Sequence, residues 1–520
     1  MTFFRSIATV SGFTLLSRLL GYCRDVMIGS IFGDSGISDI FFQAFRLPNL
    51  FRRLFAEGAL NSAFIPLFTR LNEHKNKKEA IRFASSIFTL LALSLFILII
   101  IFEFWMPEVM GILAPGFKSM PSKFELGIEL SRLVFPYILF IALAALCAGI
   151  LNSLHKFAAA TAAPILLNVF CILSLLWPTS SLEQASWALS MGVMIAGFAQ
   201  LAWVWVSCWN MGYKLKFRPI KFTPEIKLLL RRMGPGVASA GVYQINLVVS
   251  NSVASFVPLA VSYLAYADRI NQFPLSVVGI AIGTVLLPLL SQKLGHHEDH
   301  NANYLENRIV QFSFFLTFPA TAALFFIALP VIMTLFQHGR FTFEMSQEVA
   351  TILSIYILSL PSNVLVKILS TSFFARHNTF IPMLGASISI GSNLILTFIL
   401  FRFFSYYGIA AASVVASWIN VAILMICLVQ KTDFVFDRRL RSSALKLILA
   451  SSGMGLVLKS VLPLVLPYFG REIFYDFLLL GLYIGLGGAV YLGLVFLLKA
   501  FTRREFDEAM NRIEPLEQKS

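Results

Sequence analysis

Residues 17–25 read SRLLGYCRD and residues 47–66 read LPNLFRRLFAEGALNSAFIP. Both lie inside runs that are otherwise long and apolar enough to cross a bilayer, which takes about 20 residues of helix. The first run carries Arg18, Arg24 and Asp25; the second carries Asp39, Arg46, Arg52, Arg53 and Glu57; a later run adds Asp268 and Arg269. An Arg facing hydrocarbon at mid-depth costs about 2.5–3.5 kcal/mol even on the lenient insertion scale. Six of them would forfeit roughly 15–20 kcal/mol, more than the stability of a typical domain. These side chains must therefore face water, one another or an anionic ligand.

The rest of the chain sets the context. Of 520 residues, 58% are hydrophobic and 13% charged, against about 45–50% and 25% in a soluble domain, which excludes a soluble enzyme. Apolar runs fall at approximately 6–32, 37–70, 80–104, 126–150, 157–177, 186–210, 228–254, 260–291, 308–336, 348–374, 380–403, 408–430, 443–466 and 473–499. This predicts an all-α integral membrane protein of about 14 transmembrane helices, and an even number places both termini on one side. Lys and Arg are retained on the cytoplasmic side. One side holds Arg70, Lys75, Lys77, Lys78, Lys214, Lys216, Arg218, Lys227, Arg231, Arg232, Arg438, Arg439 and Arg441, whereas the other shows Lys118, Lys123, Arg340, Arg402 and Arg471. Both termini are therefore expected in the cytoplasm, and the net charge of +14 follows from topology, with no nucleic-acid partner expected. The N-terminus lacks a short apolar stretch with a small-residue cleavage site and reads as a retained first helix. The five cysteines sit in apolar runs without a C-x-x-C pair and read as small buried hydrophobes.

A weak internal repeat recurs with a period of about 220 residues. Ala44-Phe45-Arg46 followed by Pro66-Leu67 resembles Ala267-Asp268-Arg269 followed by Pro288-Leu289, and Tyr137-Ile138-Leu139 leading to Pro164 resembles Tyr356-Ile357-Leu358 leading to Pro382. Six helices separate the copies, so both enter the membrane in the same direction, the parallel arrangement found in some secondary transporters. The expected organisation is an N-terminal lobe at 1–215, a C-terminal lobe at 216–432 in parallel pseudo-twofold repeat, two extra helices at 433–500 and a cytoplasmic tail at 501–520.

Some of the embedded charges mark helix ends and snorkel to the interface, a reading that suits Arg46 and Arg70. Arg18 lies about a dozen residues inside its segment, too deep for that. Asp25 follows it by seven residues, so the two share a face and a partial internal ion pair is a second reading; Arg24 has no obvious local partner. Asp39, Arg46 and Arg53 recur every seven residues with Glu57 four later, one polar stripe if the helix is straight, which Pro48 makes doubtful. The cluster as a whole favours a cationic cavity between the two lobes. Such a cavity suits an anionic substrate, and the planar guanidinium suits phosphate.

Catalytic motifs are missing: there is no Walker-A loop, H-E-x-x-H, G-x-S-x-G or Asp-rich Mg²⁺ motif. No catalytic residue, cofactor or metal is expected, and HHEDH at 296–300 reads as a solvated loop. Gly29 to Gly33 and Gly279 to Gly283 match G-x-x-x-G and read as close helix packing. Lys367 reads as snorkelling.

At these residues the sequence resembles the bacterial lipid II flippase family, MurJ or MviN, over essentially the whole chain. The stretches that carry the resemblance are SRLLGYCRD at 17–25, LPNLFRRLFAEGALNSAFIP at 47–66, APGF at 114–117, FPYIL at 135–139, MGP at 233–235, YADR at 266–269 and FQHGRFT at 336–342. The resemblance implies a transporter of the multidrug/oligosaccharidyl-lipid/polysaccharide exporter superfamily in the bacterial inner membrane, moving the undecaprenyl-pyrophosphate-linked peptidoglycan precursor outward. It implies substrate-binding roles for Arg18, Arg24, Arg52 and Arg269, and importance for Asp39. It also implies a V-shaped pair of lobes and a groove for the lipid tail on the last two helices. Lipid II, membrane lipids and cell-wall synthesis proteins are the partners it implies. Gln272 stands where relatives can carry an acid, and segment seven holds Asn246 and Asn251 without an Asp, so neither a coupling role at 272 nor a sodium site is supported.

The mechanism expected is alternating access, with Asp25, Asp39, Arg53 and Glu57 as ion-pair or coupling residues that offset an arginine on release. The rivals are an exporter of another polyprenyl-linked oligosaccharide or of an amphiphilic drug, a membrane enzyme acting on polyprenyl phosphate, and a passive anion channel. An Arg-rich cavity argues against a cationic drug.

Overall fold

The structure is a computed structural model that describes residues 2–53, 60–74, 76–220, 222–295, 299–431, 434–470 and 472–500. Within these, the side chains of 2–8, 61, 62, 74, 235–240, 242, 243, 277, 279–295 and 299–302 are not described. The described residues form helices and turns with no strand.

The helices are α1 Thr2–Phe32, α2 Ile37–Phe51, α3 Leu60–His74, α4 Lys77–Phe104, α5 Met106–Leu113, α6 Pro121–Val134, α7 Tyr137–Ser153, α8 Phe157–Leu175, α9 Leu182–Asn210, α10 Pro224–Ala254, α11 Ala260–Gly295, α12 Asp299–Phe336, α13 Phe343–Tyr356, α14 Leu360–Ala375, α15 Phe380–Lys431, α16 Arg438–Val465 and α17 Ile473–Leu497. Local chemistry sets their ends. Asn76, Ser181, Thr223, Thr342 and Asp437 each accept a hydrogen bond from the backbone N–H three residues on, the N-cap arrangement that satisfies an orphan donor. Proline, which lacks an N–H and clashes with the preceding turn, marks the breaks at Pro136 between α6 and α7 and at Pro361 at the start of α14.

Nine stretches among the described residues are long and apolar enough to cross a membrane. Two of them combine broken helices, α6 with α7 and α13 with α14. A third is α15, whose 52 residues turn at Ser405 (φ 53°, ψ −142°) and cover two expected segments. The expectation of fourteen crossings is not established by these nine. The short α5 and the 3-10 turn Pro115–Ser119 fill a connection to which the sequence reading assigned no structure.

By internal contacts the chain forms two units: Met1–Ser262 with His338–Phe341, and Tyr263–Gln337 with Thr342–Ser520. The boundary expected from the repeat lay at 215/216; in the first unit α10 packs on α3, α4 and α5. The core of this unit is aromatic, with Phe64 stacked on Phe68 and Phe83, and Phe102 stacked on Phe135. Lipid is as apolar as these side chains, so helices associate through close packing of small residues. Gly197 of α9 lies against the ring of Tyr137 on α7, where a Cβ would come within 2.6 Å.

One motif recurs in both units. After α7, Lys156 N–H donates to Leu151 O (2.9 Å) across His155 at φ 58°. After α14, Asn378 N–H donates to Phe373 O (2.9 Å) across His377 at φ 58°. A left-handed residue with this hydrogen bond is a helix stop usually made by glycine. Here two histidines 222 positions apart make it at matching places.

Candidate functional site

Arg24 is the most enclosed of the arginines singled out by sequence. It is 7% exposed and Asp25 is 3% exposed. Its Nε and Nη2 donate to Asp25 Oδ1 at 2.9 and 2.7 Å, and its Nη1 donates to Asn168 Oδ1 at 3.0 Å. Asn168 Nδ2 in turn donates to Ser17 O at 2.9 Å. The α1–α8 contact is close here because Gly21 has no Cβ, which would sit 3.4 Å from the Asn168 amide. Arg24 was expected to lack a local partner; its long side chain folds back along α1 to the very next residue. Pair and amide together hold a guanidinium where water is excluded, and the pair is electrically neutral.

The other expected binding residues differ. Arg18 and Arg53 are exposed on α1 and just past α2, and Arg269 is exposed on α11 of the second unit. Arg52 is half-buried and donates from Nε to Asn49 Oδ1 (3.2 Å). Half-buried Arg46 reaches the Leu247 carbonyl of α10 (3.4 Å), where snorkelling was expected. α2 ends at Phe51, with Arg52 as its C-cap in helical conformation; the expected stripe from Asp39 runs on to Glu57, which lies outside the described residues. Gln272 donates to the Asp268 carboxylate one turn back.

Asp39 has a chemistry of its own. It is fully buried, and its carboxylate accepts from Lys123 Nζ (2.9 Å), Leu259 N–H (2.9 Å), Ser262 N–H (2.8 Å) and Ser262 Oγ (2.6 Å). Lys123 was read, with Lys118, only as a basic residue of a connection; it is the counter-ion of Asp39. The Leu259 it restrains has φ 64°, a left-handed conformation costly for a branched side chain. Asp39 thus ties α2, α6 and the turn between α10 and α11 together, the work of a positioning residue. Gly116 of the APGF stretch completes this corner: its N–H donates to Ser255 Oγ (3.0 Å), and a Cβ would strike the Ser255 carbonyl.

FQHGRFT also finds its place. Arg340 N–H donates to Ser30 O (2.8 Å), and Gly33 and Gly339, both at positive φ, let the backbones of 338–341 and α1 approach without a Cβ between them. Gly33, expected to mark helix packing, packs against a turn. Sequence reasoning missed Asn168 and Gln43, whose buried Nε2 donates to Leu113 O (2.6 Å). An isolated amide in an apolar run such as PILLNVFCIL at 164–173 was the available signal.

An all-helical membrane protein with buried charge pairs and exposed arginines on its embedded helices belongs in the class of multi-helix membrane transporters. A multidrug resistance MATE family transporter of the MOP superfamily, in an inward-facing conformation, shares the fold with a TM-score of 0.62 at 15% identity, over 82% of this chain and 98% of its own. The sequence matches the family described as lipid II flippase MurJ over residues 28–480, and the chain belongs to that family. A probable lipid II flippase MurJ of Rhizobium meliloti (strain 1021) is 42% identical over 462 residues, covering 88% of this chain and 86% of the relative. A solved lipid II flippase MurJ in an inward closed conformation matches with a TM-score of 0.76 at 28% identity, over 93% of this chain and 97% of that one.

Proposed function

We propose that this chain moves lipid II from the inner to the outer leaflet of the bacterial cytoplasmic membrane by alternating access, without chemical conversion of the lipid. Family membership across residues 28–480 carries the reading. The residues supply a physical route. Arg18, Arg52 and Arg269 are not fully buried, and a guanidinium accessible to a head group binds a pyrophosphate through two oxygens at once. Arg24 and Asp25 form a neutral pair on α1; the pair opens when a more negative ligand competes for the guanidinium, and it re-forms to release that ligand.

The polyprenyl tail stays in lipid. Gly481, Gly485 and Gly488 share one face of α17 with open space where a Cβ would stand, flanked by exposed Phe474, Leu478, Leu482, Leu492 and Phe496. That furrow supports a tail groove on α16 and α17. The excess of Lys and Arg in alternate connections supports cytoplasmic termini.

Depletion in cells where no other flippase substitutes tests the proposal. The amount of lipid II reached by a periplasm-restricted cleaving enzyme is expected to collapse while the total pool accumulates. Unchanged access would overturn the proposal.

A further inference from the structure

Two connectors have neither helix nor turn over their clasped residues, and side chains of a neighbouring helix hold them. After α9, residues 213–218 run along α4: Tyr213 and Leu215 are buried, Lys216 N–H donates to Ser85 Oγ (3.3 Å) and Arg218 N–H to Thr89 Oγ1 (3.0 Å). After α15, residues 434–437 run along α12: Phe434 is buried, Val435 N–H donates to Asn303 Oδ1 (3.3 Å) and Asp437 N–H to Asn307 Oδ1 (3.2 Å). The register is the same in both. Extended backbone spaces alternate N–H groups about 6.6 Å apart, and residues four apart on a helix lie about 6.0 Å apart, so alternate donors meet successive turns. Ser85 and Asn307 are 222 positions apart, the offset of the histidine stops at 155 and 377. A register that recurs at the period of the repeat is a built feature of each unit.

The clasp after α15 is the fuller of the two. Asn307 is buried, and its Nδ2 donates to Val435 O (3.0 Å). Arg308 pairs with Asp437 Oδ2, while Asp437 Oδ1 caps Leu440 N–H, so α16 starts on the clasp itself. One turn further along α12, Gln311 Nε2 donates to buried Ser443 Oγ of α16 (2.9 Å). A turn beyond that, buried Tyr491 of α17 donates from its hydroxyl to Phe315 O (2.8 Å). Pro319, four residues on, has no N–H to give that carbonyl. Asn303, Asn307, Gln311 and Phe315 recur every four residues and form one stripe of α12. The stripe holds in turn the connector, α16 and α17.

We propose that this stripe makes α12 the carrier of α16 and α17, so that the two helices travel with α12 as one body during transport, with Asn303, Asn307, Gln311 and Tyr491 as positioning residues. The proposal rests on the flippase reading above and on the tail groove it assigns to α16 and α17. A tail held in that groove then follows α12, whereas an unclasped connector would let the groove swing free of it.

Hydrogen–deuterium exchange of the purified full-length protein, with lipid II transport measured in parallel, tests the proposal. Asn307→Ala and the milder Asn303→Ala are expected to speed exchange over 434–440 by about tenfold, as loss of a buried hydrogen bond implies, and to lower transport severalfold at wild-type abundance. Asn303→Asp keeps the acceptor and is expected to match wild type in both readouts. Ser85→Ala/Thr89→Val opens the other clasp and is expected to speed exchange over 213–220 alone. Tyr491→Phe keeps the ring, loses the tie to α12 and is expected to lower transport without loss of abundance. Exchange over 434–440 as fast in wild type as in the variants would overturn the clasp, and faster exchange with wild-type transport would overturn its role. Wild-type protein that exchanges slowly here yet moves no lipid II would instead fail the flippase reading, and the transport role with it.

Discussion

Arg18 and Arg24 lie six residues apart on α1 and have opposite environments. Arg18 is exposed; Arg24 is sealed against Asp25 and Asn168. Six residues turn a helix by about 600°, so the two leave α1 on different sides. A residue-type argument places both in one cationic set, but burial divides them. A ligand can reach an exposed guanidinium, whereas a buried one is shielded by the neighbours it binds. Asp39 extends the comparison, since its carboxylate is consumed by four donors that hold a corner of the first unit.

Substitutions that remove buried partners sharpen this contrast most. Asp39→Ala leaves half-buried Lys123 without its counter-ion and frees the Leu259 and Ser262 N–H groups. Breaking a buried pair costs about 3–5 kcal/mol, and the expected result is a large fall in unfolding midpoint and in membrane abundance, measured by fluorescence-detected size exclusion after heating. Arg24→Ala takes the guanidinium away from buried Asp25 and is expected to cost about 3 kcal/mol, the low end for such a pair. Adding Asp25→Asn restores abundance but not transport if the guanidinium also serves the substrate; restoration of both would make Arg24 purely structural.

Asn168→Ala removes one acceptor from Arg24 and the tie to Ser17, with an expected loss of about 1–2 kcal/mol. The same thermal assay checks it. Arg18→Ala is expected to change stability by no more than about 0.5 kcal/mol, as for surface sites, while abolishing transport. A destabilisation as large as that of Arg24→Ala would erase the distinction between the two arginines.

The sequence displayed the helical, membrane-embedded character plainly, because hydrocarbon enforces long apolar runs. The interruption near Ser405 was also legible as the gap between the runs at 380–403 and 408–430, whereas the breaks at Pro136 and Pro361 were read through as single runs at 126–150 and 348–374. The partners of the charges were hidden. Heptad spacing linked Asp25 to Arg18, yet a flexible guanidinium reaches the adjacent carboxylate as easily as one two turns away. Lys123 is 84 residues from Asp39 and Asn168 is 144 from Arg24; no local pattern announces such pairings. The glycines at 33 and 116 were visible, but the backbones they admit, those of Arg340 and Ser255, come from distant turns.

The most direct measurement is the fraction of lipid II accessible to a periplasmic cleaving enzyme in depleted cells carrying Arg18→Ala or Arg269→Ala, read beside the amount of the variant in the membrane. Collapsed access at wild-type abundance is the predicted result. Wild-type access in both variants would contradict transport by the exposed arginines.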